Sequence, residues 1–271
     1  MSTSEQITSH YSRGSLEESI LAALRAAGKD IEHLGPADLG GLDEFHLGGR
    51  ESTQELAAFM QLRPGMHLLD VGCGIGGPAR YFAECGCTVT GVDLTPEFLR
   101  VAERLTRLVK LESRATFVEA SALELPFDSG TFDGAYEIHV GMNIADKLGV
   151  FREVARVLKP GARFSIFDIM STGDGPLKFP VPWARQPETS FVGSIDEYRR
   201  ALQEAGFRIE HQRERRQYAL DFLAKVRALP SPPVLSVFIL MGEQAPLMMK
   251  NVGEAIVSGT LEPAELVAVK L

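Results

Sequence analysis

One short segment constrains what this chain can fold into more than any other feature. Residues 68–78 read Leu-Leu-Asp-Val-Gly-Cys-Gly-Ile-Gly-Gly-Pro, so an apolar strand ends beside an acidic residue and a glycine-rich turn enters a helix. Gly72, Gly74 and Gly76 lack a Cβ atom, which lets the turn bend sharply and lets a ligand approach its backbone. Pro78 suits the first turn of a helix, where no N–H is needed. The segment predicts a nucleotide-binding turn, and glycine spacing alone leaves the nucleotide open.

The composition excludes several classes of protein. The 271 residues carry a net charge of -8, which argues against a general nucleic-acid binder because phosphate contacts need clustered Lys and Arg. No apolar run approaches the roughly 20 residues that span a bilayer, and the polar residues 1–14 lack the apolar stretch of a secretory signal. The three cysteines show no CxxC spacing, so neither disulfides nor a metal site is indicated. We therefore expect a cytoplasmic monomer or homodimer with no nucleic-acid partner, membrane partner or bound metal.

Strand and helix patterns alternate along most of the chain. This alternation predicts an α/β fold with a doubly wound, mostly parallel seven-stranded sheet and helices on both faces. The predicted strands are 67–71, 88–92, 115–119, 132–138, 163–169, one beginning at Phe207, and 266–271. The predicted helices include 15–27, 54–60, 78–84, one beginning at Pro96 after Thr95, 148–158 with a stop at 159–161, and one between Ser194 and Gly206. Ser15-x-x-Glu18 and Ser194-x-x-Glu197 are capping-box patterns at two of these helix starts.

Two stretches interrupt the alternation and define the expected domain organisation. We expect an N-terminal helical cap over residues 1–60 and a main domain over 61–271. The main domain carries insertions near 171–193, which is rich in Pro and Gly, and near 218–262, which holds two helical patterns. Long insertions beside a doubly wound sheet are often binding elements, so both are predicted to be helical lids or lid loops.

The residues around the glycine turn narrow the choice of nucleotide. No Gly-Lys-Ser/Thr ends the turn, which excludes a phosphate-binding loop of the P-loop type. A dinucleotide remains possible, because Asp93 follows Gly72 by 21 residues and could hold ribose hydroxyls. Asp70, two residues before the first glycine, is poorly placed beside a pyrophosphate but well placed beside an ammonium group.

Four segments in order resemble the motifs of class I S-adenosylmethionine-dependent methyltransferases. They are the glycine segment 70–77, Gly-Val-Asp at 91–93, Leu-Pro-Phe-Asp at 125–128 with Phe-Asp at 132–133, and Leu-Lys-Pro-Gly-Ala at 158–162. A narrower resemblance, to sarcosine/dimethylglycine N-methyltransferases and related small-molecule enzymes, rests on Phe45-His46-x-Gly48-Gly49, on His139-x-x-Met142-Asn143-Ile144 and on residues 179–183. That wider group includes quinone, tocopherol and sterol methyltransferases. The resemblance implies a Rossmann-like methyltransferase fold and S-adenosyl-L-methionine as cofactor.

The resemblance also implies roles for individual residues. The glycine-turn backbone would pack against the methionine part of the cofactor, Asp70 would lie near its amino group, and Asp93 would accept hydrogen bonds from both ribose hydroxyls. Many members have an Asp that accepts from the adenine amino group where this chain has Ser121, whose hydroxyl can also accept. The implied cofactor-binding residues are Asp70, Gly72, Cys73, Gly74, Gly76, Asp93, Leu94, Ser121, Ala122 and Glu137.

Two histidines are the candidate catalytic residues. His139 follows the fourth predicted strand, at the end of the sheet where ligands bind, and could orient or deprotonate an acceptor or simply shape the pocket. His46 could play the same roles, and we favour a role in closing over the cofactor. The leading hypothesis is in-line SN2 methyl transfer to a small-molecule acceptor, with an amine as one candidate. The alternatives are O- or C-methylation of an aromatic, quinone or lipid-like natural product, a nicotinamide-dependent oxidoreductase, and a cofactor-binding scaffold or sensor.

Overall fold

A seven-stranded sheet forms the centre of the molecule. The computed structural model describes residues 3–12, 14–229 and 233–271. Residues 1, 2 and 13 of the expected cap over 1–60, and residues 230–232 of the expected insertion near 218–262, lie outside the described residues. The strands are β1 His67–Val71, β2 Thr88–Asp93, β3 Ala115–Glu119, β4 Phe132–Ile138, β5 Leu158–Ser171, β6 Phe207–Glu214 and β7 Leu261–Lys270. Their order is β3-β2-β1-β4-β5-β7-β6, and only β7 runs antiparallel to its neighbours. The predicted doubly wound, mostly parallel seven-stranded sheet is confirmed.

Helices cover both faces of this sheet. They are α1 Thr3–Tyr11, α2 Leu16–Ala26, α3 Gly49–Phe59, α4 Gly77–Glu84, α5 Pro96–Leu108, α6 Lys147–Val157, α7 Ile195–Glu204, α8 Arg216–Arg227, α9 Phe238–Met241 and α10 Ala245–Ser258. Successive side chains of a strand point to opposite faces. Accordingly, Leu69 packs with Phe151 of α6 in one apolar cluster, whereas Leu68 packs with Leu56 of α3 and Phe82 of α4 in another.

The register of the central strands brings three strand ends together. Val71 at the end of β1 pairs with Val92 on one side and with Glu137 on the other. The chain leaves β1 towards β2 and β3, and later returns to place β4 and β5 on the opposite side. Ligands bind outside the carboxyl ends of the strands at such a reversal of strand order. The fold therefore places a binding site beyond Val71, Asp93 and Ile138.

The segments expected as cap and lids lie around this edge. In α2, Leu16, Ile20 and Leu24 form the predicted buried stripe and pack against Val101 and Leu105 of α5. Helix α3, although within residues 1–60, packs with α4 in the helical layer of the sheet. Helices α8 and α10 share an apolar cluster with residues of the 171–193 insertion. Among the helices of the described residues, none is both long and apolar enough to cross a bilayer.

Several predicted element boundaries are wrong. Helix α3 begins at Gly49 rather than residue 54, because Gly48, with φ +88°, sets the turn that starts it. Helix α6 ends at Val157, and Leu158 already pairs with Phe132 as the first residue of β5. Strand β7 begins at Leu261, five residues earlier than expected, because its pairing with β5 extends to Ser171.

The two predicted capping boxes have different outcomes. Ser194 and Glu197 form the reciprocal box, with the Ser194 hydroxyl accepting from Glu197 N at 3.3 Å and Glu197 Oε2 accepting from Ser194 N at 2.6 Å. Ser15 makes no side-chain capping bond. Instead Glu97 of α5 accepts from Gly14 N and Leu16 N, both at 3.0 Å. A carboxylate from another helix therefore satisfies the start of α2, which a local pattern cannot predict.

Candidate functional site

A cavity of 440 Å³ opens at the carboxyl ends of β1, β2 and β4. Most of the residues predicted for the site line it: His46, Asp70, Gly72, Cys73, Gly74, Asp93, Leu94, Ser121, Ala122 and His139. Gly76 and Glu137 are not among its lining residues. Of the four sequence segments that suggested the site, 70–77 and 91–93 therefore line one volume, and residues 125–128, 132–133 and 158–162 are not among its lining residues.

The glycine turn is fastened to the end of β2. The backbone N–H groups of Gly72 and Cys73 both donate to Val92 O, at 2.8 and 2.9 Å. Gly72 has φ +70°, and a Cβ there would lie 2.5 Å from Cγ2 of Val140. Gly76, with φ +82°, begins α4, and a Cβ there would lie 2.7 Å from Phe117. Gly72 is thus required for close packing at the cavity, whereas Gly76 shapes the turn from outside it.

Asp93 holds the turn and faces the cavity. Its Oδ2 accepts from Gly74 N at 2.9 Å, and its Oδ1 accepts from Thr95 N at 2.8 Å. Burial raises the pKa of Asp93, although hydrogen bonds from Thr95 and Gly74 oppose that shift. A carboxylate has about four acceptor positions. Asp93 therefore retains acceptor capacity for ligand hydroxyl groups after making both backbone bonds.

Asp70 is a buried carboxylate with an unused oxygen. The residue is 2% exposed, and its Oδ2 has no hydrogen-bond partner. The pKa of Asp70 is raised to about 8, chiefly by burial and also by the charges of Asp93 and Glu44, while the Tyr136 hydroxyl beside it opposes this shift. Buried polar groups are normally paired. An ammonium group in the cavity would supply the missing donor and charge.

The part of the cavity that follows β2 and β3 has an apolar lining. Leu94, Phe98 and Ala122 contribute apolar surface there. The Ser121 hydroxyl oxygen accepts from Leu123 N at 3.2 Å, which leaves its own proton free to donate. This part can hold a flat aromatic group with a polar edge at Ser121.

The two candidate histidines have different surroundings. His46 is 3% exposed at its side chain, its Nε2 lies 2.8 Å from Glu44 Oε2, and its Nδ1 lies 3.3 Å from Leu47 O. His139 Nε2 has no hydrogen-bond partner. Burial, and then the charge of His46, keep the pKa of His139 well below its usual range. Both rings line the cavity, and the unpartnered Nε2 of His139 is a buried atom.

A buried carboxylate fixes the segment that carries His139. The residue has φ +56°, and its N–H donates to Phe167 O at 2.7 Å. Asp168 accepts from Val140 N at 2.9 Å, from Gly141 N at 3.0 Å and from the Tyr198 hydroxyl at 2.8 Å. Three donors on one carboxylate hold the residues after β4 in place. Asp168 itself is not among the lining residues, so it lies behind the cavity wall.

Glu137 lies with Asp168 rather than at the cavity. It is 1% exposed, and burial followed by the charge of Asp168 raises its pKa well above its usual range. Side chains alternate along β4, so Glu137 and the cavity-lining Ile138 face opposite sides of the sheet. The predicted role of Glu137 in cofactor binding receives no support from its position.

Sequence reasoning missed several residues of this site. Ile7 and Tyr11 of α1 line the cavity, and the Tyr11 hydroxyl donates to Asn143 Oδ1 at 3.2 Å. The α1 sequence is polar with no clear apolar stripe, so no periodic signal marks it. Asp43 also lines the cavity and pairs with the buried guanidinium of Arg80. The described residues hold no group of three His, Cys, Asp or Glu side chains arranged for a metal ion.

The sequence matches known proteins over the same central region. A family model described as a methyltransferase domain matches residues 69–166. Methyltransferase phqN of Penicillium fellutanum is 40% identical over 118 residues, covering 43% of this chain and 36% of phqN. An O-methyltransferase of Pyrenophora dematioidea is 30% identical over 169 residues, covering 62% of this chain and 63% of that protein. These matches thus span less than two thirds of either relative.

Solved structures share the fold over a larger part of the chain. Geranyl diphosphate C-methyltransferase from Streptomyces coelicolor A3(2) superimposes with a TM-score of 0.72 at 19% identity, covering 100% of this chain and 99% of that one. A sarcosine dimethylglycine methyltransferase from Galdieria sulphuraria, described as putative, gives 0.67 at 23% identity, covering 82% and 85%. At these identities the likeness establishes the fold alone.

Proposed function

We propose that this chain, whose residues 69–166 belong to the methyltransferase domain family, binds S-adenosyl-L-methionine and methylates a small molecule. The observation that carries the proposal is the pair of carboxylates, Asp70 and Asp93, on one cavity at the glycine turn. Asp70 has an unused oxygen for an amino group, and Asp93 has acceptor capacity for ribose hydroxyls. These two carboxylates would thus supply partners for the amino group and the ribose hydroxyls of the donor.

The lining residues fit this cofactor along its whole length. The backbone of Gly72, Cys73 and Gly74 would lie beside its methionine part, and Leu94 and Ala122 would contact its adenine. When bound, it supplies a methyl group on a positively charged sulfur, which is already electrophilic. The protein's own contribution is to place the acceptor in line, and well-oriented systems gain roughly 7–11 kcal/mol from such placement.

A dinucleotide fits the cavity less well. A pyrophosphate beside the glycine turn would lie next to Asp70, whose carboxylate would repel it once ionised. Among the described residues that line the cavity, none is a Lys or Arg that could offset two phosphate charges. The nicotinamide-dependent alternative is therefore disfavoured.

The acceptor side provides His139 and an enclosing set of apolar residues. His139 would orient the acceptor or take its proton, while His46, with both ring nitrogens engaged, would close the wall beside it. Helix α1 and the segment around Trp183 would exclude water from the transfer. An amine remains one candidate acceptor, and O- or C-methylation is the other, in line with the O-methyltransferase and C-methyltransferase among the similar proteins.

Three further features stay proposals. The net charge of -8 supports action without a nucleic-acid partner, and the three free cysteines support a reducing, cytoplasmic location. We also propose that the chain acts as a monomer or homodimer. Residues 1–60 would serve as a cap, and 171–193 with 218–262 as lids, because α1 and Trp183 lie on the cavity.

The direct test uses cofactor labelled at its methyl carbon. Incubation of the protein with this cofactor and pooled metabolites should move the label to a product that mass spectrometry identifies. Binding without any transfer would instead favour the scaffold or sensor alternative. Absence of cofactor binding would remove the proposal altogether.

A further inference from the structure

One arginine is buried completely behind the glycine turn. Arg80, on α4, is 0% exposed and is not among the described residues that line the cavity. Its Nε and Nη2 both donate to the Asp43 carboxylate, and Nη2 also donates to Ile75 O at 2.7 Å. Its Nη1 donates to Thr106 Oγ1 at 2.9 Å and to Ala102 O at 3.3 Å. One side chain thus joins the glycine turn, the segment before α3 and helix α5.

Two of the residues that Arg80 holds belong to the cavity wall. Asp43 and Ile75 both line the cavity, and so do Phe45 and His46, which follow Asp43 in the chain. Asp43 is itself buried, which raises the pKa of its carboxyl, and the charge and hydrogen bonds of Arg80 oppose that shift. Arg80 therefore reaches two parts of one cavity wall from behind.

These two parts of the wall also pack directly against each other. A Cβ on Gly77 would lie 1.5 Å from Asp43 O, and a Cβ on Gly76 would lie 3.0 Å from Arg80 Nη1. The segments approach this closely only because both positions are glycine. Protein interiors are close-packed and transmit strain. A shift of the segment at Asp43 would therefore carry over to the glycine turn.

These contacts deepen the proposed function, on which the inference rests. We propose that Arg80 is a positioning residue of the donor site, which holds the glycine turn through Ile75 O and residues 43–46 through the Asp43 carboxylate. A guanidinium suits this role because it presents five donors in a rigid planar fork, whereas a lysine offers a single nitrogen. Methyl transfer depends on such placement, because a misplacement of about 1 Å can cost roughly a hundredfold in rate.

A second buried ion pair of the same kind allows a comparison with a purely structural role. Arg215 is 4% exposed, Glu265 is 0% exposed, and their side chains form a salt bridge. Neither is among the described residues that line the cavity. Breaking a buried ion pair by removing one partner is strongly destabilising. Loss of either pair should thus affect the fold, whereas only loss of the Arg80 pair should disturb the cofactor site.

A double-mutant cycle tests the proposal by calorimetric titration with S-adenosylhomocysteine. Arg80→Met, Asp43→Leu and the variant with both changes should each weaken binding by about tenfold or more and by similar factors, because the two side chains act as one unit. Replacing a buried ion pair by apolar residues often leaves stability unchanged, so the double variant should fold, which circular dichroism checks. The control, Arg215→Met with Glu265→Leu, should stay within about twofold of the parent.

Three results of this cycle would overturn the proposal. The first is binding of S-adenosylhomocysteine to the folded double variant as tightly as to the parent. The second is an equal loss of affinity in the control. The third is a loss in the double variant that equals the product of the two single losses, because Arg80 and Asp43 would then contribute separately. Failure of the parent itself to bind S-adenosylhomocysteine would instead overturn the proposed function.

A measurement on the unaltered protein decides the question even if the variants do not fold. The Nε–H of Arg80, which donates to Asp43 Oδ2 at 3.1 Å, gives its own signal in ¹H–¹⁵N nuclear magnetic resonance spectra. That signal should shift when S-adenosylhomocysteine binds, although Arg80 does not line the cavity, and the Nε–H signal of Arg215 should not. An unmoved Arg80 signal, or equal shifts of the two signals, would mean that Arg80 does not act on the cofactor site.

Discussion

The backbone N–H of Gly74 donates to Oδ2 of Asp93 at 2.9 Å, which joins the turn after β1 to the end of β2. The same carboxylate accepts from Thr95 N through its other oxygen. Asp93 therefore shapes the binding turn and presents acceptor capacity to the cavity at once. Substitutions at this position should disturb cofactor binding twice over, by loosening the turn and by removing a ligand contact.

Replacing Asp93 with Ala should weaken binding of S-adenosylhomocysteine by about ten- to a hundredfold. The expectation follows because hydrogen bonds to charged groups contribute roughly 1.5–3 kcal/mol each, and about 1.4 kcal/mol corresponds to a factor of ten. His139→Ala is the control, because His139 is proposed to act on the acceptor, and the affinity of this variant should stay within about twofold of the parent. Isothermal titration calorimetry measures both. Equal binding by the two variants would contradict this division of roles.

Cofactor binding should release a proton from Asp70. Its pKa is raised to about 8 without ligand, so the carboxyl is mostly protonated at pH 7. An ammonium group beside it favours the ionised form and lowers that pKa. Affinity should consequently rise with pH up to about 8 and then level off.

Calorimetry at pH 7 in two buffers of different ionisation enthalpy counts the released protons. The parent protein should release close to one proton per cofactor, and Asp70→Asn should lose most of that release. Proton uptake by the parent, or the same release from Asp70→Asn, would mean that Asp70 does not meet the amino group.

The sequence predicted the parts of the fold that depend on local chemistry. The glycine turn, the strand ends at Val71 and Ile138 and the Ser194 box each follow from residue types at short spacing. The predicted capping box at Ser15 is wrong because Glu97, more than 80 positions away in the chain, caps the start of α2 instead. A tertiary contact of this kind leaves no local pattern.

The residues of the candidate site likewise divide into those that local sequence marks and those that tertiary packing brings to the cavity. Residues on the strand ends were found because a motif marks them, whereas Ile7 and Tyr11 reach the cavity only through the packing of α1. Glu137 was expected at the cofactor because it lies near the end of β4, but the strand pleat turns it away from the cavity. Neighbouring side chains of a strand point to opposite faces of the sheet, so position near the strand end does not by itself tell whether a side chain reaches the cavity.

The two capping patterns allow a matched stability test. Ser194→Ala removes a hydroxyl that accepts from Glu197 N and should lower the free energy of unfolding by about 1 kcal/mol. Ser15→Ala should change it by less than about 0.5 kcal/mol, because that hydroxyl makes no capping bond. Urea denaturation followed by circular dichroism gives both values. A larger loss for Ser15→Ala would show that the Ser15 hydroxyl does stabilise α2.

A second pair of variants probes the contact between the backbone at Asp43 and α4. A Cβ on Gly77 would lie 1.5 Å from the carbonyl oxygen of Asp43, so Gly77→Ala must displace the backbone of that segment. We expect a loss of about 3 kcal/mol or more in the free energy of unfolding. Gly161→Ala serves as the control, because it has φ +77° but open space around it, and should cost about 1–2 kcal/mol. Similar losses in the free energy of unfolding for the two variants would show that the backbone at Asp43 can be displaced at little energetic cost.

Parallel calorimetric titration with S-adenosylhomocysteine and with NAD tests the central claim most directly. The carboxylates Asp70 and Asp93 and the absence of Lys and Arg from the described cavity lining predict saturable binding of S-adenosylhomocysteine and no measurable binding of NAD. Tight binding of NAD without binding of S-adenosylhomocysteine would contradict the assignment of the cavity to a methyl donor.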